Sequence, residues 1–102
     1  MTISRLSPYN IEDDLIRVDL YREIRKGSDE WPLYTIQPDE ILSPDLVSYR
    51  AYGTDELKWV VLVAAGLDDP REALEAGSTI KLPPIVWIRE KIKEYAGDIY
   101  EG

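Results

Sequence analysis

Apolar positions along the chain fall in short runs divided by turn residues, and the spacing within each run predicts an element. In residues 10–27, Ile11, Leu15 and Val18 lie on one side at helical spacing, and Ile16, Leu20 and Ile24 lie on the opposite side. The flanks suit a helix. Asn10 is a capping residue, Glu12, Asp13 and Asp14 fall in the first turn, Arg22, Arg25 and Lys26 in the last, and Gly27 just past the end. A strand is the competing expectation, because Ile16-Arg17-Val18-Asp19-Leu20 alternates with period two. A helix with two apolar sides needs two neighbours. With one of them missing, residues 1–30 would be the most mobile part of the free chain.

Residues Trp31 to Ile36 predict a short strand, closed by a turn at Pro38-Asp39-Glu40. Ser43-Pro44-Asp45 then starts a helix with a hydroxyl cap, a first-position proline and an acid, and Gly53 stops it. Thr54 caps a further helix whose body is Trp59-Val60-Val61-Leu62-Val63-Ala64-Ala65, ended by Gly66. The valines alone favour a strand there, but the cap, the first-turn acids and the terminal glycine favour a helix. Ser78 to Leu82 predicts a second strand, ended by Pro83-Pro84. Ile85, Ile88, Ile92, Tyr95 and Ala96 form one stripe of a last helix, with Val86 and Trp87 off that stripe, and the residues after Gly97 are expected to fray.

The 102 residues suffice for one domain, and a hydrophobic fraction of 44% fits a folded one. Cys and His are both absent, which removes disulfides, thiolate metal sites and the commonest general base and metal ligand. No cofactor or metal is expected. No apolar run is long enough to span a membrane, and the first residues lack the apolar core of a signal peptide. The chain is therefore expected to stay in the cytoplasm in which it is made unless an assembly carries it. A net charge of -8 disfavours nucleic acid and anionic lipid as partners. Residues 31–84 carry nine acids against four bases, which suits a basic partner surface as well as a plain soluble one.

Candidate chemistry is sparse. The paired acids Asp13-Asp14, Asp39-Glu40 and Asp68-Asp69 stand where helix starts and turns use carboxylates, without the spacing of a calcium loop or of an acid–base pair. The six glycines are scattered singly, so no phosphate loop exists. Seven Tyr and three Trp, with no Phe, hint at interfaces, where such rings meet apolar and polar surroundings at once. Trp59, inside the apolar run, is expected in the core. Tyr49 and Tyr52 share a helical face that suits either core or contact patch, and Trp87, off its stripe, points to an external partner. The expected partner interface comprises Ile16, Leu20, Ile24, Trp31, Tyr49, Tyr52, Val86 and Trp87.

The order strand, helix, helix, strand over Trp31–Pro83 resembles the plan of a LysM module. Leu33-Tyr34-Thr35-Ile36-Gln37-Pro38-Asp39-Glu40-Ile41-Leu42 looks like its opening strand and turn, and Gly77-Ser78-Thr79-Ile80-Lys81-Leu82-Pro83 like its closing strand. The stretch from Ser48 through Tyr52-Gly53-Thr54 and Trp59-Val60-Val61-Leu62-Val63 to Asp69-Pro70 is similar to the core of the LysM-like baseplate wedge proteins of contractile-tailed phages. The resemblance covers about half the chain and leaves 1–30 and 84–102 unexplained. It implies an α+β fold: a LysM-like βααβ core over 31–84, with a two-stranded antiparallel sheet packed on two helices. An N-terminal docking segment, 1–30, and a C-terminal helix and tail, 85–102, would flank it. It further implies a non-enzymatic structural protein of the virion, present in several copies around a symmetric tail baseplate. Its partners would be other baseplate, hub, tube or sheath-initiator proteins. The alternative is a peptidoglycan- or chitin-binding module using loops near Gln37–Ile41 and Leu67–Pro70. Asp39, where a sugar-binding module has glycine, and Ala64-Ala65-Gly66, where it is asparagine-rich, weaken that alternative.

Overall fold

The structure is a computed structural model that describes residues 5–67, 69 and 71–97; the expectations for Met1 to Ser4, for Asp68 and Pro70, and for the tail 98–102 lie outside them. In chain order the elements are α1 (Asp14–Lys26), β1 (Leu33–Thr35), α2 (Pro44–Tyr52), α3 (Lys58–Ala64), β2 (Thr79–Lys81) and α4 (Ile85–Tyr95). Short 3-10 turns occupy Pro8–Asn10, Pro38–Glu40 and Asp55–Leu57. Among the described residues this is a compact α+β fold with four helices and a two-stranded antiparallel sheet.

Residues 10–27 settle as a helix, but with a later start than the sequence suggests. Asp13 is the cap, its carboxylate accepting from the Leu15 amide, whereas Asn10 closes a 3-10 turn that Ser7 caps. Ile11 therefore precedes the helix and is buried at 1% exposure. Gly27 ends α1 at φ 74°, and a side chain there would press on the Lys81 stem at 3.2 Å, so glycine lets the chain leave α1 close against β2.

β1 and β2 pair with Leu33 opposite Lys81, Tyr34 opposite Ile80 and Thr35 opposite Thr79. Leu33 and Thr35 are exposed while Tyr34 and Ile80 turn inward, as period-two alternation requires. Backbone bonds from Ile36 to Ser78 (2.9 Å), Gly77 to Ile36 (2.9 Å) and Leu82 to Pro32 (3.1 Å) extend the ladder at both ends. So short a two-stranded sheet is marginal alone and holds here because Tyr34 and Ile80 pack with the hydrophobic core.

Two local devices fix the turn between α2 and α3. Gly53 takes the left-handed conformation at φ 79°, and its amide bonds the Tyr49 carbonyl. Ser48, fully buried, donates its hydroxyl to the Thr54 carbonyl at 2.5 Å and accepts from the Leu57 amide at 3.2 Å, tying α2 to the start of α3. Thr54 accepts from the Glu56 amide as expected of a cap, but of the 3-10 turn that leads into α3. Ser43 makes no capping bond, so Pro44 at the first position carries that helix start. The Gly53 site is open, with no atom within 4 Å of an added side chain, so Gly53→Val isolates backbone strain. It is expected to cost about 1–3 kcal/mol, read as a lower Tm. An unchanged Tm would show that the left-handed turn is not strained.

The valine-rich run becomes α3 despite its β-branched side chains. Val60 and Val61 are wholly buried and Val63 nearly so, and tertiary burial outweighs the small propensity deficit. α3 packs against α1 and α2, and α1 packs also on α4, so one hydrophobic core runs from Ile11 to Ile92. Ile11, Leu20 and Ile24 of the N-terminal segment belong to that core, with Leu6, Ile16 and Tyr21 packed against it. The two-sided character of α1 resolves because its Leu20/Ile24 side finds its neighbour within the chain.

Candidate functional site

A docking protein needs outward-facing apolar groups on rigid elements. Eight residues are expected at such an interface from the sequence, and the fold divides them. Leu20 and Ile24, at 0% and 1% exposure, face the α3 and α4 side of α1 and are buried in the core of the chain itself. Ile16 is half-buried against the same core. The side of α1 that faces outward is the opposite one: Leu15 is 78% exposed and Val18 45%. Helical periodicity revealed the two sides of α1, but nothing local to the helix says which of them the rest of the chain covers.

Trp31 and Trp87 come together. Their rings meet edge-to-face at 4.8 Å and 66°, and both are half-buried, Trp87 against the core. The off-stripe position of Trp87 is therefore explained by an internal partner on the segment before β1, with the Lys91 ammonium 5.8 Å from its ring. Trp87→Ala is expected to cost the isolated domain about 2 kcal/mol, from lost apolar burial and the ring pair, read as a shift of the urea midpoint. A Trp31→Ala, Trp87→Ala double mutant should cost less than the sum of the two single changes; strict additivity would mean that the rings do not couple.

Tyr49 and Tyr52 also part company. Tyr49 is exposed at 62%. Tyr52 donates its hydroxyl to the Pro83 carbonyl at 2.7 Å, linking α2 to the segment between β2 and α4, and burial holds its phenol above the ordinary value. Val86, at 61% exposure, remains outward. Of the eight, then, Tyr49 and Val86 are presented to solvent. Leu33 (63%), Leu42 (71%) and Tyr9 (62%) join them and Leu15 as exposed large apolar groups that the sequence pattern did not single out.

Trp59 is half-buried, not a full core residue. Its indole N–H donates to the Leu6 carbonyl at 2.9 Å, and its ring lies 6.0 Å from Tyr21. Arg17 continues this row, with its guanidinium 4.8 Å from the Tyr9 ring and a bond to the Ile11 carbonyl at 2.8 Å. Together these contacts hold the N-terminal segment against α1 and α3. Between them and the 3-10 turn at Asp55–Leu57 lies an open groove of about 490 Å³ lined by Tyr9, Tyr21, Asp55, Glu56, Lys58 and Trp59.

The acid pair Asp39-Glu40 does more than form a turn. Glu40 is fully buried. Its carboxylate accepts from the Gln37 amide (2.7 Å), the Tyr34 hydroxyl (2.5 Å) and Arg50 Nη1 (2.8 Å), while Arg50 also clasps the exposed Asp39 through both nitrogens at 3.0 and 2.8 Å. Desolvation pushes the Glu40 carboxyl up, but the bonds from Tyr34, Gln37 and Arg50 outweigh it and hold the group below its ordinary value. Burial and then the adjacent carboxylate push the Tyr34 phenol up to about 12. With its oxygens occupied by internal donors, Glu40 is a structural pin joining β1, the turn and α2. The clue in the sequence is Arg50, one of few bases in an acidic stretch.

Among the described residues no cluster of three or more His, Cys, Asp or Glu is placed to hold a metal, and no helix is long and apolar enough to cross a membrane. The chain matches no protein-family model, no curated protein and no solved structure.

Proposed function

We propose that this chain is a non-enzymatic assembly protein whose Trp31–Pro83 portion follows a LysM-like βααβ plan, acting as an adapter in the baseplate of a contractile phage-type tail. It would stand in several copies and link wedge subunits to the hub or tube, and so belong to the virion. The observation that carries this is the pairing of β1 with β2 around the intervening α2 and α3, with Tyr34 opposite Ile80 and the Gly53 turn between the helices. The baseplate itself enters from the sequence resemblance. Exposed apolar side chains on α1, α2 and α4 (Leu15, Tyr49 and Val86) supply surfaces for neighbouring subunits. The glycan alternative is less favoured because the Gln37–Ile41 loop commits its polar groups internally: Glu40 to Tyr34 and Arg50, and the Ile41 carbonyl to the Leu74 amide at 2.7 Å.

The test is co-expression of the tagged chain with tail tube, hub and wedge subunits from the same source, followed by sedimentation of the purified material. Multiple copies migrating in one complex with those subunits are expected. A chain that stays monomeric beside assembled subunits, or that is retained on insoluble peptidoglycan, would sink the proposal.

A further inference from the structure

Four of the seven arginines in this chain have a carboxylate at hand among the described residues. Arg17 pairs with Asp14, Arg22 with Asp19, Arg50 with Asp39 and Glu40, and Arg71 with Asp69. With 20 acids against 12 bases, such pairing is the default. Arg5 and Arg89 are different: among the described residues neither has a hydrogen bond, ion pair or ring contact. These two guanidinium groups line the same open groove of about 660 Å³, which runs between the N-terminal segment and the outer side of α4. Asn10 and Lys93 line it as well, Glu90 is the sole acid among its described lining residues, and Val86 is 61% exposed along it. A net negative protein thus keeps a cationic groove with an apolar contact point.

We infer that this groove is a docking site for an acidic segment of a partner protein, with side-chain carboxylates on Arg5 and Arg89 and an apolar side chain on Val86. Charge complementarity names the occupant. Guanidinium forks bind carboxylates in a bidentate manner, and both are free to do so without breaking an internal pair. A polyphosphate would meet the same two groups, but the rest of the -8 surface repels an extended polyanion, whereas a short peptide touches the groove alone. The site goes beyond the adapter proposal by giving one face a partner chemistry, and it rests on that proposal only in treating the chain as a docking protein.

The experiment measures fluorescence anisotropy of a labelled, glutamate-rich synthetic peptide with one central leucine, titrated with the full chain. Saturable binding is expected that weakens as salt rises and is lost when the glutamates are replaced by glutamine. Arg5→Glu and Arg89→Glu should each weaken it about tenfold or more, because like charges then face each other. Arg71→Glu makes the same change of charge outside the groove and should leave binding within about twofold. Melting curves would verify that these surface variants fold. Equal effects of Arg71→Glu and Arg89→Glu, tighter binding of duplex DNA than of the peptide, or peptide binding seen only after deletion of residues 98–102 would each overturn the inference. Peptide binding without baseplate association would sink the adapter proposal alone.

Discussion

Replacing Glu40 with alanine is expected to lower folding stability by about 2–4 kcal/mol, read as a lower denaturant midpoint at unchanged slope. The substitution strips the Gln37 amide and the Tyr34 hydroxyl of their acceptor and takes the inner partner from Arg50. Arg50 is 40% exposed and keeps Asp39, so its loss is partial and the effect stays below that of orphaning a wholly buried charge. Glu40→Gln preserves shape and one acceptor oxygen and should cost about 1 kcal/mol. Asp39→Ala removes an exposed pair and should cost ~0–1 kcal/mol. Equal losses for Glu40→Ala and Asp39→Ala would mean that burial of Glu40 does not matter.

The same network sets the direction of pH dependence. The Glu40 carboxyl is lowered in the fold, so its stabilisation is complete above its unfolded value near 4.5 and fades as pH falls through the folded value. Asp29, Asp39 and Asp69, each held down first by a side-chain bond to Lys81, Arg50 or Arg71, have the same sign. At the other extreme the Tyr34 phenol is raised from 10.0 to about 12, so its contribution is complete below pH 10 and is lost as pH rises through about 12. Wild type should therefore lose stability more steeply than Glu40→Gln between neutral and acid pH. Parallel curves for the two would remove Glu40 from the acid response.

Elements were legible wherever local chemistry decides them. The Pro44 start, the Gly53 and Gly27 stops and the period-two strands around Tyr34 and Ile80 all follow from residues adjacent in sequence. The helical state of α3 followed from its flanks in spite of its valines. What stayed hidden depends on which surfaces meet. Trp87 lies off the α4 stripe whether its partner is another protein or Trp31, some fifty residues earlier, and periodicity does not distinguish the two. Glu40 reads as one of a turn's two acids until the fold closes and buries one and leaves the other in solvent. That Arg5 and Arg89 have no partner among the described residues is likewise apparent only once the fold places their neighbours.

The side of α1 that serves the core is the point with the largest consequence. Leu20→Ala should cost about 3–5 kcal/mol, because a wholly buried side chain is removed between α1 and α3 in a small domain that has little stability to lose. Leu15→Ala, at a position 78% exposed, should stay within about 0.5 kcal/mol of wild type. Amides of α1 should exchange slowly in the free monomer, since α1 is held at both ends: by Trp59 and Arg17 bonding the segment before it, and by Tyr95 and Lys91 reaching Glu23. The adapter proposal then makes a separate demand on the opposite side. Leu15→Asp combined with Val18→Asp should leave the melting curve of the isolated chain nearly unchanged and reduce its recovery with baseplate subunits. If Leu15→Ala proves as damaging as Leu20→Ala, the rotation of α1 is wrong. If the double aspartate variant folds and assembles like wild type, α1 contributes no contact and the docking surfaces reduce to α2 and α4, at Tyr49 and Val86.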